Sequence, residues 1–220
     1  MKRLLAAAAA ALVLVSLCAC SGEKTEESLS EKSVSSEAEP EKEKSEASSV
    51  RAVSSSLTSP LALQEWGNAA KFSTLDQKYY TVPVRILKVI TGSQAEKTVR
   101  DYTKENKTYS LPSDDSSDVW VTAEYEICLD GFPAGKSGTD AGIVSFVTGL
   151  DGNTLEYSGK KYSVTTINIT DGKYYYEGVH RGSIAFTIPS GCRDYMLSLG
   201  EYGETQAFFT QSTKNTLSLE

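Results

Sequence analysis

From Val119 to Cys128 every odd position is apolar and most even ones are polar (Val-Trp-Val-Thr-Ala-Glu-Tyr-Glu-Ile-Cys). A period of two sends alternate side chains to opposite faces, so the segment predicts a half-buried β-strand. Val82, Val84 and Ile86 repeat the pattern against Pro83 and Arg85, and then Leu87 and Val89 switch phase, as at a bulge or in a strand buried on both faces. Ile184, Phe186 and Ile188 alternate with Ser183, Ala185 and Thr187, and Pro189 closes that run. Tyr195, Leu197 and Leu199 predict another strand, and Thr205 to Thr210 a last one with Phe208 and Phe209 on opposite faces. Leu61 to Ala70 is the one stretch expected as a short helix, cut by Trp66-Gly67, and long helical periodicity is missing elsewhere.

Turn chemistry separates these runs. Asp151-Gly152 predicts a hairpin between Val144-Ser145-Phe146 and Leu155-Glu156-Tyr157, and Asp171-Gly172-Lys173 marks a second turn before Tyr174-Tyr175-Tyr176. Short strands with turns every ~8–12 residues point to an all-β fold, an immunoglobulin-like antiparallel β-sandwich rather than a closed barrel.

The N-terminal part has none of this alternation. Met1-Lys2-Arg3 is a basic start, Leu4 to Leu17 an apolar run too short for a comfortable membrane span, and Ala19-Cys20 has the form of a lipoprotein cleavage site. Cys18 follows the bulky Leu17, where cleavage needs a small residue, so Cys20 is the expected lipidated position; an ordinary secretory signal would release a soluble protein instead. Two acyl chains hold roughly 30 methylenes at about 0.8 kcal/mol each, a durable anchor. From Ser21 to about Ser59 the chain is Ser, Glu, Lys and Ala with hardly an apolar residue. It is therefore expected to be disordered, with a span of roughly 35 Å. The expected organisation is a signal peptide at 1–19, a lipidated cysteine and linker at 20–59, and a folded domain at 60–220, on the extracytoplasmic face of a cell membrane, of a Gram-positive type of envelope. About 160 residues suffice for one core without staples.

The segment Gly178-Val179-His180-Arg181-Gly182-Ser183-Ile184-Ala185-Phe186-Thr187-Ile188-Pro189, followed by Asp194-Tyr195-Met196-Leu197-Ser198-Leu199, resembles the C-terminal half of the telokin-like, immunoglobulin-like domain of a family of bacterial lipoproteins. Val119 to Ile127 resembles its central strand, and Gly149-Leu150-Asp151-Gly152 its hairpin. The similarity spans most of residues 66–210. It departs at Cys128-Leu129-Asp130-Gly131, where the family turns with asparagine, and at Glu177 to His180, where a Pro-Gly turn is missing. The resemblance implies an immunoglobulin-like fold behind a low-complexity linker, and no catalytic residues.

Candidate chemistry is sparse. His180 is the only histidine, which leaves no pair for zinc and no choice of base for a serine triad; no cofactor fingerprint is present. Asp114, Asp115 and Asp118 form the densest carboxylate group, weak candidates for a calcium site. Cys128 and Cys192 are a candidate disulfide in an exported chain, although the parity of Cys128 with Glu124 and Glu126 turns it from the Tyr125 side. Tyr80, Tyr174, Tyr175 and Tyr176 are candidate contact residues, since tyrosine is favoured at contact surfaces and also in strands. A net charge of −7 disfavours nucleic acid and anionic lipid as partners. The expectation is a non-enzymatic, membrane-anchored module. It would touch membrane lipid through acylated Cys20 and bind an envelope or cell-surface protein; a small-molecule or calcium-binding lipoprotein is the alternative.

Overall fold

The computed structural model describes residues 50–105, 117–149 and 154–211. Cys20 and most of the expected linker, Asp114 and Asp115, and the Asp151-Gly152 turn lie outside them.

The alternating run forms β4 (Asp118–Cys128) at the centre of a five-stranded antiparallel sheet. Val121, Ala123, Tyr125 and Ile127 are fully buried on its inner face. On one side β4 pairs with β3 (Lys78–Thr91), which pairs with β2 (Gly67–Ser73). On the other it pairs along its whole length with β9 (Val179–Pro189), which pairs with β8 (Ile167–Ile169). The phase switch in β3 is a bulge: the register with β4 shifts between Ile86 and Lys88, and Leu87 has no partner.

A second sheet runs β1 (Leu61–Ala62), β11 (Ala207–Thr210), β10 (Met196–Leu199), β5 (Ser145–Thr148), with β1 parallel to β11 and the rest antiparallel. Val147, Leu197, Leu199 and Phe209 from this sheet share one core with Tyr125, Ile184 and Phe186 of the first. Each such side chain contributes about 1.5–3 kcal/mol by leaving water. The described residues are thus mostly β, in a sandwich-like pairing of two sheets.

Three local expectations differ from this structure. Leu61 to Ala70 makes no helix but supplies β1 and the start of β2. Gly67 lies so close to the second sheet that a Cβ would come within 2.7 Å of Leu61 Cδ1 and 2.8 Å of Ala207 Cβ. Strand pairing at that approach overrides the local helical reading. The helix lies instead at α1 (Ser93–Glu105), where Ala95, Val99 and Tyr102 make a narrow stripe at i, i+4, i+7. That stripe covers the outer face of the five-stranded sheet, with Val99 packed among Trp120, Ile167, Ile169 and Ala185. Finally, β5 pairs with β10 rather than with β6 (Thr154–Tyr157), and a 3.2 Å hydrogen bond from Gly149 N to Thr154 O joins their ends. The hairpin partner of β6 is β7 (Lys160–Ser163), through Ser158 (φ 51°) and Gly159 (φ 70°), the paired left-handed residues of a type I′ turn.

Upstream of β1, Val53 bridges Gly67 in parallel, and Ser55 Oγ accepts the amide of Phe208 at 2.9 Å. Residues 50–59, expected in the linker, therefore include contacts with both sheets.

Candidate functional site

The antiparallel order gathers four connections at one end of the sandwich: residues 74–77, 129–144, 170–178 and 200–206. The β2–β3 hairpin projects beyond the others, because Val84 already faces Ile127 and Lys78 to Val82 extend past the end of β4, by about 17 Å at 3.4 Å per residue. Among the described residues, eight of the nine exposed large apolar side chains sit at this end: Phe72, Leu75, Tyr79, Val144, Tyr174, Tyr176, Val179 and Tyr202. Tyr202 is 76% exposed, Tyr174 64% and Leu75 63%, where an aromatic or leucine side chain with only a packing role would be covered.

Specific bonds hold the loops beneath these side chains. The long 129–144 connection lies against the projecting hairpin: Phe132 packs edge-on to Tyr80 at 5.8 Å, and Ser73 Oγ donates to Pro133 O at 3.4 Å. On the other side Thr139 and Tyr175 exchange backbone hydrogen bonds of 2.8 and 2.7 Å, and Tyr176 Oη donates to Lys136 O at 2.6 Å. Gly138 (φ 75°) is required in that contact, since a Cβ would come within 2.9 Å of Tyr175 O. Asp130 closes the end of β4 by accepting the Gly178 amide at 2.8 Å. Tyr175 stacks on His180 with centroids 3.6 Å apart, and its hydroxyl is held by Asp171. That bond holds the Asp171 carboxyl below its ordinary range and raises the Tyr175 phenol. Asp76 and Tyr80 repeat the arrangement across the β2–β3 turn.

A cleft of about 270 Å³ opens beside the edge of β2, lined by Lys71, Phe72, Asp140, Ile143, Asn168 and Glu201 among others. Lys71 is the unusual member, a lysine only 8% exposed. Its Nζ donates to Gly142 O at 2.5 Å and to Asp140 Oδ1 at 3.3 Å, and lies 5.6 Å from the Phe132 ring centroid. Burial lowers its pKa, and the Asp140 carboxylate opposes that shift without cancelling it. Beneath the cleft the fully buried Tyr125 donates to Ala141 O (2.9 Å) and meets Asn168 Oδ1 (3.0 Å), while Asn168 Nδ2 donates to Ile143 O at 2.5 Å. Burial pushes the Tyr125 phenol far above its ordinary value, so it stays a neutral donor.

On the outer face of the same sheet, Glu126 lies between Arg85 (Nη2–Oε2 2.6 Å) and Arg181 (Nε–Oε1 3.0 Å), at one register position across β3, β4 and β9. Arg85 also covers the Trp66 ring at 4.5 Å. Burial, the largest single effect, pushes the Glu126 carboxyl up, yet the two guanidinium groups together bring it below its ordinary value.

The residues singled out from sequence fall in different places. Tyr174 and Tyr176 are exposed at the loop end, whereas Tyr80 and Tyr175 are half-buried against the core. The segment holding Tyr174 to Tyr176 is a bend with one isolated bridge rather than a strand, so their exposure follows from the loop and not from strand parity. Asp118 lies at the far end of β4, opposite Pro189, and is not brought together with these tyrosines. Cys128 faces Val179, and Cys192 follows Pro189, at the other end of the ladder. Ten residues at about 3.3 Å each separate the two ends, so the candidate disulfide is corrected to two free, buried thiols. Burial raises both thiol pKa values, which keeps them protonated. Among the described residues no three His, Cys, Asp or Glu side chains are gathered as a metal site requires, and no helix is long and apolar enough to cross a membrane. Sequence reasoning missed Lys71, Asp140 and Glu201. A lysine in an edge strand reads as solvent-facing, and only the fold brings the 140–144 loop over it.

Compared with protein-family models, curated proteins and solved structures, the chain matches none of them.

Proposed function

We propose that this chain is a lipid-anchored extracytoplasmic protein whose immunoglobulin-like head is a non-enzymatic binding module for an envelope or cell-surface protein, acting through its loop end. One observation carries the reading: the exposed large apolar side chains of the described residues are gathered, eight of nine, at that end. Single exposed apolar residues are ordinary on a protein surface; a group of tyrosines, a phenylalanine and a leucine at one pole has the composition of a contact surface. The loops beneath are tied by backbone and side-chain bonds, so little ordering entropy would be lost on binding. The anchor rests on Cys20 behind its basic and apolar leader, and the lipoprotein-domain resemblance agrees with it.

Photocrosslinking in living cells tests it. A photoreactive residue replaces Tyr79, Tyr174, Tyr176 or Tyr202 in turn, with Lys161 and Arg193 as exposed positions away from the loop end. The expected result is one recurrent partner from the loop-end positions and none from the other two. The same captured set from both groups, or none from either, overturns the proposal. Separately, metabolic labelling with an alkynyl fatty acid is expected to label the native chain and not Cys20→Ala.

A further inference from the structure

The cleft beside β2 has unspent hydrogen-bonding capacity of a particular kind. An ammonium has three donors, and Lys71 uses two of them on Gly142 O and Asp140 Oδ1. Asp140 Oδ1 already accepts from Lys71 and from the Gly142 amide (2.8 Å), while Oδ2 accepts from no described residue. Glu201 also lines the cleft, and its side chain makes no hydrogen bond or ion pair to any described residue. The unspent groups are therefore one buried donor and two carboxylate acceptors, set among apolar Phe72, Ile143 and Val144. One ammonium against two carboxylates, in an acidic chain, repels phosphates and carboxylates. A ligand offering several hydroxyl donors, a few acceptors and an apolar C–H edge fits all of these groups. The volume, about 270 Å³, lies below the roughly 300–1,000 Å³ of drug-sized sites and suits one ring rather than several.

We infer that the Lys71–Asp140–Glu201 cleft is a subsite for one sugar ring of a neutral glycan. Hydroxyl groups donate to Asp140 Oδ2 and Glu201, a ring or hydroxyl oxygen accepts from Lys71, and the C–H edge lies on the apolar lining. Phe72 belongs both to the cleft and to the exposed aromatic group, packed at 5.1 Å against Tyr79, so a longer glycan would leave the cleft across the loop end. The inference rests on the head being a binding module, but names a different ligand and a cleft at the edge of the protein-contact surface, with which it shares Phe72 and Val144.

The test is calorimetry and saturation-transfer NMR on the full chain in detergent, with the tetramers of β-1,4-glucose, α-1,4-glucose and β-1,4-N-acetylglucosamine and with tetragalacturonate as the anionic probe. At least one neutral tetramer is expected to bind, with tetragalacturonate weaker by tenfold or more, about 1.4 kcal/mol. Glu201→Gln, which breaks no bond to a described residue, is expected to weaken binding by about fivefold, and Asp140→Asn further. Lys97→Ala, on the exposed face of helix α1 away from the cleft, is expected to leave the tetramer's affinity unchanged. No binding of any neutral tetramer at about 10 mM, equal binding of the anionic probe, or an unaltered Glu201→Gln variant overturns the inference. Crosslinking at Tyr174 and Tyr176 reports separately on the protein-contact reading.

Discussion

Tyr125 shows how much one side chain can organise. Its ring belongs to the shared core, and its hydroxyl ties the 139–144 loop to β8 through Ala141 and Asn168. The backbone opposite must be glycine, because a Cβ on Gly182 would come within 2.5 Å of Tyr125 Cζ. Tyr125→Phe is expected to cost about 1–2 kcal/mol, by removing the one hydroxyl donor that the Ala141 carbonyl and Asn168 Oδ1 share. Gly182→Ala should cost about 1–3 kcal/mol through overpacking, and urea midpoints measure both. Glu126 makes a pH-dependent contribution. Its carboxyl titrates lower in the folded than in the unfolded chain, so its stabilisation is complete above about pH 4.3, the unfolded value, and is lost as pH falls through the folded one. Between pH 7 and pH 3 the Glu126→Gln variant should therefore lose less stability than the native chain. The thiols of Cys128 and Cys192 are expected to react slowly with a disulfide reagent until the protein is unfolded, and a reductant should not move the Tm; a reductant-sensitive Tm would contradict the free-thiol assignment.

At the scale of elements, the strands were legible where one face is buried and the other wet, and illegible where tertiary contacts decide. The inner residues of β4 and β9 can be read from parity alone, whereas the phase switch after Ile86 fits a bulge or burial on both faces until the register with β4 decides for the bulge. Helix α1 shows so little in the sequence because only Ala95, Val99 and Tyr102 face the sheet. Its remaining positions are polar or charged, and the charged ones make ion pairs such as Glu96–Arg100 and Lys97–Asp101, each worth about 0.3–0.5 kcal/mol. The docked stripe, not intrinsic propensity, holds it. Val99→Ala is accordingly expected to cost about 1–3 kcal/mol despite its place on a highly charged helix, whereas Lys97→Ala should change stability by less than about 0.5 kcal/mol; denaturant titration separates the two. The candidate site was less legible still. The tyrosines could be picked out by type, but which ones are exposed depends on a loop, and the cleft is assembled from β2, the 139–144 connection, β8 and the β10–β11 turn.

For the molecule as a whole, the separation of its two ends organises everything else. Helix α1, Asp118 and Cys192 belong to one end, the exposed aromatic residues and the Lys71 cleft to the other, and the β4–β9 ladder runs between them. A substitution such as Cys192→Ser should leave loop-end crosslinking unchanged even where it lowers the Tm, since nothing at that end touches it. The bridge between Val53 and Gly67 has a directional consequence. It is parallel, with Val53 N–H donating to Trp66 O and Asn68 N–H to Val53 O, so residues ahead of Val53 approach along β2 from the side away from its hairpin tip. Gly67 pairs with Val84 and Val84 with Ile127, so Val53 crosses β2 level with the loop end of the β4–β9 ladder, at the base of the projecting hairpin. A pull on the chain ahead of residue 50 would therefore load the Val53–Gly67 bridge and the projecting hairpin before it reached the β4–β9 ladder.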